Sequence, residues 1–191
     1  MSVPSLLGAP IAELDQSMIQ TTAIGGSSPR TMLNFNMQRQ LQTNWCWSAV
    51  STSVSLFYNM ASTWTQCNLV DAELNQTTCC SNGASTACNK PWRLQNALTR
   101  TNNFAGWQPG VLSGTQISAQ LSNSTPIGVR IGWAGGNSGH FIVISGTSTV
   151  GNRTHLNIED PWSGQSTYEY SRFLTQYNGN GRWTHTYFTR R

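Results

Sequence analysis

At 191 residues the chain is long enough for one domain with a real core, or for a domain and a tail. Only 9% of its residues are charged, against roughly 25% in an average soluble domain. The net charge of +4 comes from ten scattered Arg and a single Lys, Lys90. That gives no basic stripe for nucleic acid, and no apolar run reaches the roughly 20 residues of a membrane span.

Residues 1–32 read as a tail or a propeptide, with Pro-broken polar stretches and the loop Gly25-Gly26-Ser27-Ser28-Pro29. The opening MSVPSLLGAPIAELDQS lacks the basic n-region of a secretory leader. A domain over 33–191 follows. Within 44–60, apolar residues at Trp47, Val50, Val54, Phe57 and Tyr58 recur at spacings of three and four, which predicts a helix. It carries no charge and is therefore expected to be buried on most sides, with Asn44 as its N-cap. A Cys- and Asn-rich loop spans 62–90, with a short helix around Val70–Leu74. Pro91 fits the first position of a helix running to about Arg100, and 113–123 reads as another. After Pro126 the pattern changes to strands: Ile127–Trp133, His140–Gly146, Thr154–Ile158 and Arg182–Phe188. Helices first and an antiparallel sheet second make an α+β domain.

Four of the five cysteines, Cys67, Cys79, Cys80 and Cys88, lie within 22 residues, and Cys46 stands apart. The count predicts two disulfides and one free thiol. A bridge between the neighbours Cys79 and Cys80 would be strained. Two pairings remain: Cys67–Cys79 with Cys80–Cys88, or Cys67–Cys80 with Cys79–Cys88. A zinc site is the weaker reading, because no paired CxxC and no nearby His is present. Disulfides point to an oxidising compartment, so the protein is expected to be secreted, extracellular or periplasmic.

The isolated Cys46 falls at the start of the predicted buried helix, where free N–H groups and the helix dipole stabilise a thiolate. His140 opens a strand directly after the loop Gly135-Gly136-Asn137-Ser138-Gly139. His155 and His185 sit mid-strand at polar positions and read as surface residues. Only Glu159, Asp160 and Glu169 are acidic after His140. Asp160 closes a strand before Pro161 and is placed to orient the imidazole. In a regular strand Glu159 points to the other face. Cys, His and Asp in this order support an activated thiol nucleophile.

Gln40, the block Asn44-Trp45-Cys46-Trp47-Ser48-Ala49, then Gly139-His140-Phe141-Ile142-Val143-Ile144, and finally Asp160-Pro161-Trp162-Ser163-Gly164 resemble the papain-like cysteine proteases. The nearest branch is the bacterial one with the avirulence-type effector proteases, some delivered into host or target cells. The resemblance runs from about 33 to 189. It implies a papain-like fold, with the helix that carries the nucleophile packed against the sheet. It also implies Cys46, His140 and Asp160 as a triad and Gln40 as the oxyanion donor, with Gln42 and then Gln38 as weaker candidates. Trp47 and Trp162 are expected as core aromatics around the triad. The implied activity is cleavage of protein or peptide substrates by a monomer needing no cofactor or metal. The Cys-rich insert departs from effectors that work inside cells. Rival readings are an amidase, deamidase or acyltransferase toxin on cell wall or protein side chains, and an inactive binding protein.

Overall fold

The thirteen residues Cys46–Tyr58 form helix α1, and eleven of them are buried. Five of those buried residues are Ser or Thr, yet they fit the core because four of their hydroxyls find main-chain acceptors and the fifth, on Ser55, pairs with the Ser62 hydroxyl at 2.7 Å. Ser51 Oγ donates to Trp47 O at 2.9 Å, Thr52 Oγ1 to Ser48 O at 2.9 Å, and Ser53 Oγ to Ala49 O at 2.7 Å. Ser48 Oγ reaches out of the helix to Gln66 O at 2.9 Å. The computed structural model describes residues 19–20, 30–136 and 138–191. The loop 25–29 and most of the predicted tail lie outside the described residues, as does Asn137.

Around α1 pack α2 (Gln66–Leu74) and α3 (Leu94–Arg100), and on its other side the sheet. The strands are β1 (Ile19–Gln20), β2 (Arg30–Leu33), β3 (Phe104–Pro109), β4 (Ile127–Trp133), β5 (Gly139–Val150), β6 (Arg153–Asp160), β7 (Gly164–Glu169) and β8 (Gly181–Thr189). Helices α4 (Gly114–Ser122) and α5 (Tyr170–Gln176) complete the described elements. The sheet runs β1-β2-β5-β4-β8-β3, with β6 on the other edge of β5 and β7 beyond it. Every described pairing is antiparallel. The core joins Trp47, Val50 and Val54 of α1 to Ile127, Val129 and Ile131 of β4 and to Ile142 and Ile144 of β5. This is the predicted helix-and-antiparallel-sheet domain.

Local chemistry explains where the element boundaries differ from expectation. Asn44 does not cap α1; Trp45 occupies the cap position and no side chain caps the first turn. Asn44 is drawn away to Asn89, donating from its amide to Asn89 O at 2.9 Å while its backbone N–H donates to Asn89 Oδ1 at 2.9 Å. Helix α2 starts at Gln66, earlier than Val70, because Thr65 and Asn68 form a capping box. Pro91 is not the first residue of α3, which begins at Leu94. Trp92 in between is held by Glu73, its indole donating to Oε2 at 2.6 Å, and this keeps 91–93 outside the helix. Ser113 and Gln116 form a capping box that starts α4. Strands β1, β2, β3 and β7 and helix α5 had no expectation; β1 and the first three residues of β2 fall in the predicted tail. β3 contains Gly106 and a terminal Pro109, and β7 (GQSTYE) has no apolar alternation.

Disulfides join Cys67 to Cys80 and Cys79 to Cys88, the second of the two pairings left open by the sequence. Cys46 is the free cysteine. Asp71 lies beside Cys79 and Cys88. Both sulfurs are bonded to each other, and the Asp71 carboxylate accepts from Cys79 N at 2.9 Å, so the cluster is a structural one.

Candidate active site

Cys46 is the first residue of α1 and is 8% exposed. The turn before it is clamped from both sides by the end of the disulfide loop. Trp45 Nε1 donates to Cys88 O at 2.9 Å, and Trp47 Nε1 to Lys90 O at 3.0 Å. Asn89 Nδ2 donates to Thr43 Oγ1 at 2.8 Å. The Cys-rich segment is therefore packed into the domain as a brace for the head of α1.

His140 is the second residue of β5 and Asp160 the last of β6. Side chains alternate along a strand, and Glu159 pairs with Val143 across the ladder. Asp160, one residue on, therefore turns to the face that Ile142 shares with His140. The result is a contact of 2.7 Å between His140 Nε2 and Asp160 Oδ1. Glu159 lies on the opposite face, accepting from Ser145 Oγ at 3.0 Å and Gln165 Nε2 at 2.8 Å. Burial pushes the Glu159 carboxyl up, and those two donors oppose it.

With Nε2 committed to Asp160, the remaining imidazole nitrogen of His140 is Nδ1. Burial pulls His140 down, but hydrogen bonds and charge from Asp160 and from the Cys46 thiol outweigh it, and the group is raised to about 9. Burial pushes Asp160 up, yet its hydrogen bonds and the charge of His140 bring it down to about 2. Besides His140, the carboxylate accepts from Trp162 N at 2.7 Å and Ser163 N at 3.2 Å through Oδ1. Through Oδ2 it accepts from Ser163 Oγ at 3.1 Å and the Tyr177 hydroxyl at 2.6 Å. Tyr177 had no place in the sequence reading, because a lone Tyr ahead of Asn178-Gly179 gives no signal. The turn Pro161-Trp162-Ser163 is legible as an Asx turn only once Asp160 is known to face inward.

Gln40 is buried and bridges the two halves of the site, its backbone N–H donating to Pro161 O at 2.8 Å. Its side-chain amide donates to Gln42 O at 2.7 Å and Thr43 O at 2.9 Å. Gln40 Oε1 is buried without a hydrogen-bond partner. Gln42 turns away, its amide lying over Gly83 in the disulfide loop. Gln38 is fixed elsewhere, its Oε1 accepting from Thr52 and Gln66. A cavity of about 300 Å³ opens over this arrangement, lined by Gln40, Thr43, Trp133, His140, Trp162 and Asn178 among others. Trp47 is fully buried as expected, but Trp162 is not a core aromatic: it is 55% exposed at the cavity rim. Its backbone is held by Asp160, and the turn projects its ring outward.

A Cβ on Gly139, beside His140, would lie 2.7 Å from the Arg130 guanidinium, so a larger residue there would displace that side chain. Arg130 occupies the sheet face opposite His140 and donates to Thr184 Oγ1 at 3.1 Å. His185 is on that side too, against Trp107, where burial and then Arg130 push it down. His155 contacts Arg153 O at 3.3 Å, far along the hairpin. Neither lines the cavity.

Among the described residues no helix is long and apolar enough to cross a membrane. No curated protein sequence matches the chain. Among solved structures, a chain from work on antibody cross-reactivity between the mite allergens Blo t 1 and Der p 1 is similar in fold. It has a TM-score of 0.53 at 11% identity, over 96% of this chain and 72% of that one. Digestive procathepsin L 3 of Tenebrio molitor larval midgut is also similar, with a TM-score of 0.49 at 13% identity over 80% of this chain and 66% of that one. The family described as papain-like cysteine protease AvrRpt2 matches residues 27–180, and the chain belongs to that family of papain-like cysteine proteases.

Proposed function

We propose that the protein is an endopeptidase that cleaves protein or peptide substrates with Cys46, His140 and Asp160. The observation that carries this reading is the 2.7 Å bond from His140 Nε2 to Asp160, made by a ring that Asp160 and Cys46 together hold toward its protonated form. Asp160 holds one tautomer and favours the imidazolium. His140 takes the Cys46 proton, and the thiolate attacks the scissile carbonyl carbon. The oxyanion is met by the Cys46 N–H at the uncapped head of α1. A Gln40 N–H, shared from its main-chain acceptors, is the second donor. His140 then protonates the leaving amine, the C–N bond breaks, and a thioester remains. His140 next deprotonates a water that attacks the thioester, releasing the acid and restoring the thiol.

The two disulfides fit a protein that acts outside cells or in a periplasm. The test is hydrolysis of an unstructured protein such as casein, with the mass of the protein recorded after treatment with an epoxide-type thiol inhibitor. Internal cleavage products and a single adduct on Cys46 are expected. Hydrolysis undiminished in Cys46→Ala would overturn the mechanism. Release of cell-wall stem peptides without casein cleavage would favour the amidase alternative.

A further inference from the structure

We propose that Tyr177 is a positioning residue for catalysis: its hydroxyl locks the second oxygen of Asp160 and thereby aims and tempers the first oxygen against His140. The inference rests on the catalytic reading above. It starts from the 2.6 Å bond between the Tyr177 hydroxyl and Asp160 Oδ2. Tyr177 is 1% exposed and follows α5 directly. Its backbone is pinned on both sides by Gly181, with Tyr177 N to Gly181 O at 3.0 Å and Gly181 N to Tyr177 O at 2.8 Å. Only glycine allows this approach, since a Cβ on residue 181 would stand 2.7 Å from Tyr177 O and 2.9 Å from the Trp133 ring. The phenol ring is wedged by Tyr168 at 5.0 Å and Phe173 at 5.5 Å between centroids. A ring held this way cannot follow Asp160 if the carboxylate rotates.

The phenol is the donor in this bond. Burial and the Asp160 charge both push Tyr177 up, so it keeps its proton. Every acceptor direction of the carboxylate is then in use, with main-chain donors and His140 on Oδ1 and hydroxyls on Oδ2. The arrangement has two consequences for His140. The carboxylate plane is fixed, so Oδ1 stays in line with Nε2. The hydroxyl also draws negative charge toward Oδ2, which leaves Oδ1 a weaker partner for the imidazolium than an unshared carboxylate would be. The titratable groups around the pair are Cys46 from α1 and Tyr177 itself, with Tyr168 of β7 behind the Tyr177 ring. Glu159 of β6 and Arg130 of β4 lie on the other face of the sheet.

The test is the rate of Cys46 alkylation by iodoacetamide between pH 4 and 11, read by mass, in the wild type, Tyr177→Phe, and a protein carrying 3,5-difluorotyrosine at 177. Cys46 is the free thiol, so the profile needs no substrate. In Tyr177→Phe the alkaline limb set by the imidazolium moves to higher pH, because Oδ1 regains charge. On a peptide substrate its kcat falls several-fold with KM unchanged. The difluorinated ring is a stronger donor that keeps the fold, and it moves the limb to lower pH. The difluorotyrosine arm stays readable if Tyr177→Phe does not fold. A limb unmoved, or moved the opposite way, in a variant of wild-type circular dichroism overturns the role of Tyr177 alone. A wild-type Cys46 that alkylates like an ordinary thiol, with no imidazolium limb, overturns the catalytic reading and this inference with it.

Discussion

The indole nitrogen of Trp45 donates to the carbonyl oxygen of Cys88 at 2.9 Å, so the residue before the free thiol of Cys46 hangs from a half-cystine. Trp45 is 1% exposed and Cys88 fully buried. The disulfide Cys79–Cys88 thus ends at the wall that sets where Cys46 sits.

Opening that disulfide is expected to loosen the head of α1 before it unfolds the sheet. The double variant Cys79→Ala/Cys88→Ala should lose about 2–3 kcal/mol of stability in urea unfolding, as a short closed loop implies. Its kcat should fall by more than that of Cys67→Ala/Cys80→Ala, whose bridge does not end beside Trp45. Equal kcat in the two double variants would show that the brace does not reach Cys46. Non-reducing peptide mapping should recover Cys67 with Cys80 and Cys79 with Cys88.

For the orienting acid, three variants on one peptide substrate are compared, with folding checked by circular dichroism. Asp160→Ala should lower turnover by about 10²–10⁴-fold, because the ring loses both its tautomer and its aim. Asp160→Asn should retain more, since an amide oxygen still accepts from His140 Nε2. Glu159→Gln should change turnover least, because Glu159 faces Ser145 and Gln165 away from the cavity. A crippled Glu159→Gln beside a near-normal Asp160→Ala would contradict the assignment.

Under the proposed mechanism activity should fall with pH through about 9, where His140 loses the proton that the mechanism gives to the leaving amine. Stability follows the same groups. His140 is raised above its ordinary value of 6.5, so its contribution is complete below pH 6.5 and is lost as pH rises through about 9. Asp160 is lowered from 3.8, so its contribution is complete above pH 3.8 and is lost as pH falls through about 2. In Asp160→Asn the alkaline limb of kcat/KM should move to lower pH, because the imidazolium loses its charged partner. A limb that stays put in that variant would show that another group sets it.

Gln40→Ala should reduce kcat about 10²-fold, the usual effect of losing one oxyanion donor, with KM little changed. Gln42→Ala should be close to wild type, because its amide rests on the disulfide loop. Comparable losses in the two variants would argue that the effect comes from the backbone turn of 40–43.

The sequence by itself determined the elements that rest on local periodicity and local chemistry. The uncharged spacing of Trp47, Val50 and Val54 marked α1, and the alternation after Pro126 marked β4, β5, β6 and β8. The strand parity of Glu159 and Asp160 was readable too, because the side-chain period of a strand is two. Everything that depended on a distant partner was decided by the tertiary structure. Asn44 carries a good cap side chain, but Asn89 competes for it from 45 positions away. The disulfide pairing followed from how 67–88 folds against α1, which spacing alone left open between two solutions. β3 and β7 are strands because β8 and β6 supply their hydrogen bonds, and their own sequences carry no apolar alternation to announce it. Tyr177 reaches Asp160 because Gly181 folds the chain back beneath Trp133. A contact made by packing across strands leaves no period or spacing in the chain, so only the folded geometry reveals it.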